Sequence, residues 1–319
     1  MIGIVGAGAF GAALAVALAR DGKPVTLWAR DAAQAKEIGR SRRAPRLPGI
    51  DLPGNVTVTA EITNLCSADA VLLSVPMQAL HGFLSGPGRA LNGLPLVACC
   101  KGVDLSTLSG PSSIIADDAP GSTPALLTGP SFAADIARGL PTALTFACAD
   151  HERGPALQRL LSTPVLRLYL TDDLIGAELG GALKNVVAIA AGIVIGAGLG
   201  DSARAALMTR GYAELQRLAL TLGARPETLA GLSGFGDLVL TCTSSQSRNF
   251  RFGMAMGAGQ SFDPTITVEG AATAKAVSNL AKTRGIDLPI TSMVAALIDG
   301  RLDLSAAIQT LLSRPLKKE

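Results

Sequence analysis

The first half of the chain alternates short apolar runs with stretches of helical periodicity. Each apolar run ends at glycine, proline or polar residues, as the buried strands of a sheet do. After a first strand that begins at Ile2, the predicted strands are Val25–Trp28, Val56–Thr59, Ala70–Val75, Pro95–Cys100, Ala125–Leu127, Thr142–Ala147 and Val165–Leu170. Strands that alternate with helices predict an α/β fold with a mostly parallel, doubly wound sheet and right-handed crossovers.

The pattern changes after Asp172-Asp173, where strand signals largely disappear. The run Leu174–Leu199 is apolar on nearly every side, and Glu178 and Lys184 are its charged side chains. A helix without a polar face is expected to be buried. The tail 270–319 also has a helical pattern, with breaks at Pro289 and Gly300. The sequence therefore predicts an α/β domain at 1–172 and an all-α domain at 173–319.

The first strand leads directly into the loop Gly6-x-Gly8-x-x-Gly11 and an alanine-rich helix. In a dinucleotide site, Gly6 makes the tight turn, Gly8 lets the backbone approach a pyrophosphate, and Gly11 lets the helix pack on the strand. The diphosphate then lies on free N–H groups at the positive end of the helix dipole. The loop predicts a Rossmann-like domain. An S-adenosylmethionine site uses a similar loop, so the loop alone leaves the ligand open.

The residues after the strand Val25–Trp28 bear on the choice of cofactor. In NAD-specific sites, an acidic side chain at the end of this strand holds the ribose 2′-hydroxyl. Here Arg30 comes first and can pair with a 2′-phosphate, while Asp31 suits the N-cap of a helix that begins near Ala32. We therefore expect NADP(H) to be preferred and NAD(H) to be tolerated. The competing interpretation is an ordinary surface pair of arginine and aspartate.

The composition narrows the classes of partner. The 319 residues carry a net charge of +3 with scattered signs, and 48% of them are apolar. Nucleic-acid binding requires a basic stripe. The densest basic run is interpreted instead as a solvated loop; it contains Arg40, Arg42, Arg43 and Arg46. We expect a small-molecule partner and no nucleic acid. A homodimer stays open, because the sequence does not give the oligomeric state.

Cysteine usage and the N-terminus indicate a cytoplasmic protein without a metal site. The five cysteines have no metal-ligand spacing, there are only two histidines, and reduced, mostly buried thiols are expected. Ile2–Ala19 is uncharged and about long enough to span a bilayer, but glycines interrupt it. It also lacks the basic region of a signal peptide, so we expect neither a signal peptide nor a membrane span.

Two lysines are candidates for chemistry. Lys101 directly follows a buried strand, and ligands of parallel sheets bind at the carboxyl ends of strands, so it is a candidate contact to an anion or a carbonyl. A lysine that turns out to solvent is an equally good interpretation. Lys184 lies in the apolar helix, where the helix itself offers no acidic partner on the same face. Burial lowers the pKa of a lysine, which suits a proton donor near neutral pH. The alternative is a lysine whose ammonium reaches water.

Polar residues cluster again after position 233. The sequence Gly234-Phe235-Gly236-Asp237 predicts a carboxylate in a flexible turn. The following segment, 241–249, combines hydroxyls and amides with Arg248. Arginine binds phosphate oxygens in a bidentate manner, so this segment is a candidate phosphate site. A surface loop has the same composition.

Taken together, these motifs resemble the bacterial type of NAD(P)-dependent glycerol-3-phosphate dehydrogenase. The resemblance runs from the first strand to about Gly270 and continues more weakly beyond it. It rests on Gly6-Ala-Gly-Ala-Phe-Gly11, Cys100-Lys-Gly102, Gly129-Pro-Ser-Phe132, Leu179-Gly-Gly-Ala-Leu-Lys-Asn-Val186, Gly236-Asp-Leu-Val-Leu-Thr-Cys-Thr243 and Gln246-Ser-Arg-Asn249.

The resemblance implies a role for each matching residue. Lys184 is implied as the proton donor and acceptor, in a catalytic set with Lys101 and Asp237. The implied substrate-binding residues are Lys101, Gly129, Ser131, Lys184, Asn185, Asp237, Thr241, Ser247, Arg248 and Asn249. The implied cofactor-binding residues are Gly6, Gly8, Ala9, Phe10, Gly11, Arg30, Lys101, Ala133, Arg248, Thr267 and Glu269. The family pattern has valine at the position of Thr267, which puts that contact in doubt.

The reaction implied by the resemblance is hydride transfer between nicotinamide and C2 of dihydroxyacetone phosphate or sn-glycerol 3-phosphate. The implied role is supply of glycerol 3-phosphate for phospholipid synthesis. One alternative is another lysine-dependent two-domain dehydrogenase, acting on a 3-hydroxy acid or on ketopantoate. The other is a non-catalytic NAD(P)H sensor. The Ser-Arg-Asn segment argues against the first, and a buried lysine argues against the second.

Overall fold

The computed structural model describes residues 1–312, and its contacts divide the chain into two compact units. Unit 1 is Met1–Gly181 with Leu222–Asp237, and unit 2 is Ala182–Thr221 with the described residues from Leu238 onward. The boundary after Gly181 lies inside the continuous helix Leu174–Gly196, and the later segment Leu222–Asp237 belongs to unit 1. Domains of 1–172 and 173–319 therefore stay a prediction.

Unit 1 contains one eight-stranded sheet. Its strands are β1 (Ile2–Val5), β2 (Val25–Trp28), β3 (Val56–Thr59), β4 (Ala70–Leu73), β5 (Pro95–Ala98), β6 (Thr123–Thr128), β7 (Thr142–Cys148) and β8 (Leu166–Thr171). Their order is β3-β2-β1-β4-β5-β6-β7-β8, and every neighbouring pair is parallel except β6 and β7. The predicted mostly parallel, doubly wound sheet is confirmed. The order reverses between β1 and β4, which is where such sheets bind ligands.

Both faces of this sheet are covered by apolar layers. Ile4 and Leu72 pack into the layer on one face, whereas Val5, Val71 and Leu73 pack into the layer on the other. Side chains alternate between the faces of a strand, so a strand that is buried on both faces is apolar at consecutive positions. This is why the strands could be predicted from uninterrupted apolar runs.

Helices cover the sheet and form unit 2. They are α1 (Ala9–Arg20), α2 (Ala32–Ser41), α3 (Leu80–Leu84), α4 (Pro111–Asp118), α5 (Ala133–Arg138), α6 (Arg153–Leu161), α7 (Leu174–Gly196), α8 (Gly200–Thr221), α9 (Pro226–Ala230), α10 (Asp237–Thr243), α11 (Arg248–Gly257), α12 (Glu269–Arg284), α13 (Pro289–Ile298) and α14 (Leu304–Leu312). Between Thr171 and position 312 the chain forms helices and turns, which confirms the predicted helical second half.

Helix α7 is the long apolar helix predicted at Leu174–Leu199. It ends earlier, at Gly196, and Gly198 in the following turn has a φ of +73°. Among the described residues α7 is long and apolar enough to cross a membrane, but 83% of its most apolar stretch is buried inside the protein. Such burial is typical of a core helix, as predicted, and does not indicate a membrane span.

Two helices receive N-terminal caps from carboxylates of distant helices. The N–H of Ser112, at the start of α4, donates to Glu178 of α7 at 2.6 Å. At the start of α13, the N–H groups of Ile290 and Thr291 donate to Glu214 of α8 at 2.6 and 3.1 Å. The first N–H groups of a helix have no partner within it, and its positive dipole end favours a carboxylate. These caps attach α4 to α7 and α13 to α8.

The Glu214 cap predicts a specific pH dependence of stability. Glu214 is 5% exposed, and burial raises its pKa above the usual 4.5, although the hydrogen bonds from Ile290 and Thr291 oppose the change. A carboxyl group whose pKa is raised by folding contributes stability that is fully present below the unfolded pKa and is lost as pH rises through the folded pKa. We expect the thermal midpoint of the wild type to fall relative to Glu214→Gln as pH rises above the usual pKa of 4.5. Thermal unfolding of both proteins as a function of pH measures the difference, and a pH-independent difference would contradict the assignment.

Candidate active site

The loop after β1 has the geometry expected of a dinucleotide-binding turn. Gly6 has a φ of +106°, and a Cβ placed on it would lie 2.5 Å from the carbonyl oxygen of Ser74. A Cβ on Gly11 would collide with the carbonyl oxygen of Gly6, whereas Gly8 faces open space. Helix α1 begins at Ala9, and its N-cap residue offers no side-chain cap. The N–H groups at this helix start are therefore available to an anion.

Three further predicted cofactor residues of unit 1 are Phe10, Ala133 and Arg30. Phe10, in the first turn of α1, and Ala133, at the start of α5, pack against the same apolar cluster. Arg30 is exposed directly after β2. Asp31 is the N-cap of α2 and accepts the N–H of Gln34 at 2.7 Å, which confirms its predicted capping role. Asp31 is thus engaged in the helix, while Arg30 points away from the core.

The basic run after α2 is only in part a solvated loop. The partly buried guanidinium of Arg42 donates to the carbonyl oxygens of Leu52 and Val56, the latter at 3.0 Å. Arg43 forms an exposed ion pair with Asp51 at 2.9 Å. The interpretation as a solvated loop is therefore wrong for Arg42, which holds together the segment between α2 and β3. The sequence does not predict these hydrogen bonds, because their acceptors are backbone carbonyls, which every residue has.

In unit 1, residues from three separate motifs meet at Lys101. Its Nζ donates to Asp237 Oδ2 at 2.6 Å and to the carbonyl oxygen of Gly129 at 2.9 Å. Ser131 Oγ donates to the same carbonyl at 3.2 Å. The side chains of Lys101 and Asp237 are 17% and 1% exposed. Removing one partner of a buried ion pair typically costs about 3–5 kcal/mol.

The segment before Asp237 differs from the prediction. Leu232–Gly236 form a single π-helical turn, and Asp237 then opens α10 with its carboxylate buried. A Cβ on Gly234 would collide with the carbonyl oxygen of Leu229, so this turn is packed directly against backbone. The prediction of a flexible turn is wrong, because the glycines serve close packing and the carboxylate is held by Lys101.

Sequence reasoning missed the packing role of Gly180 and Gly181 in α7. A Cβ on Gly181 would lie 2.9 Å from Thr128 Oγ1, and one on Gly180 would lie 2.6 Å from the carbonyl oxygen of Ser233. The two glycines therefore let this part of α7 approach the end of β6 and the π-helical turn. A glycine in a helix interior costs about 1 kcal/mol relative to alanine. Two adjacent glycines inside a predicted helix therefore could have indicated a close packing contact.

In unit 2, Lys184 is buried, as predicted, with 5% of the residue exposed. Its Nζ donates to Thr241 Oγ1 of α10 at 2.7 Å. The sequence shows no acidic partner within the helix, and the partner that the structure shows, Thr241, comes from another helix. This hydrogen bond fixes the direction of the Lys184 ammonium. A positioned lysine ammonium is a candidate proton donor.

The predicted substrate residues at the start of α11 have structural bonds of their own. Asn249 Nδ2 donates to Asn185 Oδ1 at 3.0 Å, and Asn249 Oδ1 accepts the N–H of Gly270 at 2.9 Å. The Asn249 amide thus joins α11 to α7 and α12. Ser247 is the N-cap of α11 and accepts the N–H of Phe250 at 3.2 Å. One amide hydrogen of Asn249 and the hydroxyl hydrogen of Ser247 are not used by these bonds.

Arg248 is the most accessible cation at this helix start. Its side chain is 51% exposed, and Nη2 lies 3.8 Å from Glu269 Oε1, which is a loose ion pair. Thr267 is exposed, two residues before Glu269. Arg248 therefore remains free to move toward an anion at the N-terminus of α11.

Known proteins are similar to this chain over nearly its whole length. The family described as NAD-dependent glycerol-3-phosphate dehydrogenase matches with its N-terminal part at residues 1–154 and with its C-terminal part at residues 173–309. Proteins named glycerol-3-phosphate dehydrogenase [NAD(P)+] from Cereibacter sphaeroides and from Ruegeria sp. are 66% and 60% identical. The alignments cover 100% of this chain and 100% and 99% of those proteins.

A solved structure extends the similarity to the fold. Glycerol-3-phosphate dehydrogenase from Coxiella burnetii superposes with a TM-score of 0.91 at 36% identity, covering 98% of both chains. The glycine loop, the two lysines and the helical second half thus occur within a similarity that extends over nearly the whole chain. The chain belongs to the NAD-dependent glycerol-3-phosphate dehydrogenase family.

Proposed function

We propose that the chain interconverts dihydroxyacetone phosphate and sn-glycerol 3-phosphate with NAD(P)(H) as the cofactor. In reduction, the ketone, NAD(P)H and a proton give the secondary alcohol and NAD(P)+. The observation that carries the proposal is Lys184, an ammonium that is 5% exposed and hydrogen-bonded to the neutral hydroxyl of Thr241. The relatives that match over the full chain are named for this activity.

The residues of the glycine loop fit a dinucleotide cofactor. Gly8 faces open space, so a phosphate can approach the backbone, and the first N–H groups of α1 have no side-chain cap. These groups bind the diphosphate and thereby orient the rest of the cofactor. When bound, NAD(P)H supplies the hydride. Side chains of the protein provide proton transfer, charge stabilisation and orientation of the substrate.

Lys184 donates a proton to the C2 oxygen as negative charge develops there. Thr241 accepts one ammonium hydrogen and thereby orients the ammonium group of Lys184. In the oxidation direction the neutral amine accepts the proton of the alcohol. Proton transfer by a positioned side chain typically contributes about 10²- to 10⁴-fold in rate.

Arg248 binds the phosphate group. It is the first residue of α11, so its guanidinium lies where the helix dipole also favours an anion. The unused amide hydrogen of Asn249 and the hydroxyl of Ser247 are further donors at the same helix start. The phosphate is remote from the reacting carbon, so its binding energy serves to orient the substrate.

Lys101 is a second cation for the substrate oxygens. An ammonium has three hydrogens, and two are used by Asp237 and the carbonyl of Gly129, which leaves one for a ligand. Asp237 is 1% exposed, so we propose that it acts on the substrate through Lys101. Gly129 and Ser131 complete this group at the carboxyl end of β6.

A substrate panel tests the proposed reaction against its alternatives. The wild-type protein is mixed with NADPH or NADH and with dihydroxyacetone phosphate, ketopantoate or a 3-oxo acid, and nicotinamide absorbance is followed. We expect rapid oxidation with dihydroxyacetone phosphate and at least about 100-fold slower oxidation with the others, because they lack the phosphate that aligns the carbonyl. Preference for another carbonyl compound overturns the substrate assignment. Binding of NADPH without any turnover indicates a sensor.

The cofactor preference depends on Arg30 in this proposal. We expect Arg30→Ala to raise the KM for NADPH by about 10- to 100-fold, since a charge-assisted contact to a 2′-phosphate is removed. The KM for NADH changes little, because NADH has a 2′-hydroxyl instead. Steady-state kinetics with both cofactors measures the ratio, and an equal effect on both would show that Arg30 does not recognise the 2′-phosphate.

We also propose a cytoplasmic location. All five cysteines are free and four of them are buried, which suits a compartment that keeps thiols reduced. Burial also raises the pKa of the Cys99 thiol, which makes it less reactive. A homodimer stays a prediction.

A further inference from the structure

Two pairs of glycines face each other where α7 and α11 meet in unit 2. They are Gly192 and Gly196 in α7 and Gly253 and Gly257 in α11, each pair spaced by four residues. A Cβ on Gly253 would collide with the carbonyl oxygen of Ile189 and lie 3.0 Å from Gly192 Cα. The contact is reciprocal, because a Cβ on Gly192 would lie 3.0 Å from Gly253 Cα. Here the two helix backbones touch directly.

The same contact recurs one turn later. A Cβ on Gly257 would lie 2.9 Å from the backbone nitrogen of Ala197, and one on Gly196 would lie 2.9 Å from Met254 Cα. Higher residue numbers of α11 meet higher numbers of α7, so the helices run in the same direction at this contact. The obstacles are backbone atoms, which cannot rotate away as a side chain can. Only glycine allows this separation of the two helices.

A second, independent observation fixes the longitudinal position of α11. Asn249, in its first turn, donates to Asn185 Oδ1 at 3.0 Å, and Asn185 directly follows Lys184 in α7. Asn249 Oδ1 also accepts the N–H of Gly270, at the start of α12. The asparagine pair therefore fixes the N-terminus of α11 beside the turn of α7 that carries Lys184. The glycine contact then fixes how closely the two helices approach.

We propose that the two glycine pairs are positioning residues that set the distance between Lys184 and Arg248. This inference rests on the proposed function, in which Lys184 protonates the C2 oxygen and Arg248 holds the phosphate. In a three-carbon substrate these two points are separated by a fixed number of bonds. A fixed separation of α7 and α11 therefore selects substrates whose phosphate and carbonyl are spaced as in dihydroxyacetone phosphate. A misplacement of about 1 Å can cost about 100-fold in rate.

The variant Gly253→Ala tests this positioning role. Its Cβ displaces α11 from α7, although Gly253 itself lies in the interior of α11, away from the helix start where the phosphate binds. We expect kcat/KM for dihydroxyacetone phosphate to fall about 100-fold, while kcat/KM for phosphate-free dihydroxyacetone changes less than about threefold. The readout is the phosphate advantage, which is kcat/KM for dihydroxyacetone phosphate divided by kcat/KM for dihydroxyacetone. A purely structural role lowers the melting temperature and leaves this ratio unchanged.

Gly211→Ala is the matched control. Gly211 lies in α8 of the same unit, and a Cβ on it would meet Cγ1 of the Val187 side chain at 2.6 Å. This control loses stability but leaves the contact between α7 and α11 unchanged, so its phosphate advantage stays within about twofold of wild type. An equal fall in Gly211→Ala and Gly253→Ala overturns the positioning role.

Gly196→Ala keeps the test decisive if Gly253→Ala does not fold. Gly196 is the last residue of α7, where the helix end can yield, and a Cβ on it displaces the middle of α11. We expect a smaller fall of the phosphate advantage, about tenfold. An unchanged phosphate advantage in a folded glycine variant overturns the positioning role. A wild-type protein that does not oxidise NAD(P)H with dihydroxyacetone phosphate overturns the proposed function instead.

Discussion

Replacing Lys184 by methionine is expected to lower kcat for dihydroxyacetone phosphate by about 10³-fold, with NADPH affinity retained. Methionine keeps most of the apolar length of the side chain, so it fills the buried site better than alanine does. It removes the ammonium that donates to Thr241 at 2.7 Å and, in the proposed mechanism, to the substrate oxygen. Steady-state rates and NADPH fluorescence titration separate the two effects.

Two further measurements distinguish loss of the proton donor from loss of structure. Thermal unfolding tests whether Lys184→Met is folded. Added methylammonium should restore part of the activity of Lys184→Ala, because the truncated side chain leaves room for a small amine that can donate a proton, and it should not restore Lys184→Met, whose side chain fills that space. Lys184→Arg should stay inactive, since a guanidinium does not release its proton near neutral pH. Near-normal turnover in Lys184→Met would mean that another group is the acid.

Replacing Arg248 by alanine is expected to lower kcat/KM for dihydroxyacetone phosphate by about 10²- to 10³-fold, mainly through KM. Hydrogen bonds to charged groups are each worth about 1.5–3 kcal/mol, and a bidentate phosphate contact contains two of them. The rate with phosphate-free dihydroxyacetone should change little at saturating NADPH. Saturation with NADPH is needed because the family resemblance also implies a contact of Arg248 with the cofactor.

Arg251→Ala is the matched control for Arg248→Ala. Arg251 is exposed three residues further along the same helix, so its removal changes the net charge equally while the guanidinium of Arg248 stays in place. We expect its kinetics to remain within about twofold of wild type. If Arg248→Ala reduces activity on both substrates equally, Arg248 does not hold the phosphate.

The sheet could be predicted from the sequence because burial on both faces leaves a direct signal. Val25–Trp28 and Val56–Thr59 are strands with the predicted bounds. The run Leu174–Leu199 was recognised as a core helix by its lack of a polar face, and the helix itself ends at Gly196. The ends of other strands differ from the predicted ends by one or two residues, as at β4. The reason is that an apolar run can continue beyond the last residue that is hydrogen-bonded in the sheet. The glycine loop could also be predicted, because the positions of its glycines are set by steric requirements within the loop itself.

The partners within the site could not be predicted from the sequence. Lys101 and Asp237 are 136 positions apart, and Lys184 and Thr241 are 57 apart. Their pairing follows from the packing of whole helices, which no local pattern encodes. The contact between the glycines at 192, 196, 253 and 257 could not be predicted either, because a one-dimensional pattern does not show which helix packs against which. The family resemblance supplied the roles but not these contacts.

The most direct test of the proposed reaction follows the hydride itself. The wild-type protein is incubated with dihydroxyacetone phosphate and NADPH that is deuterated at both C4 positions of the nicotinamide, and the product is analysed by NMR and mass spectrometry. The account predicts sn-glycerol 3-phosphate with one deuterium, bound to C2, for each NADPH oxidised. A product without deuterium at C2, or oxidation of NADPH without formation of glycerol 3-phosphate, would contradict it.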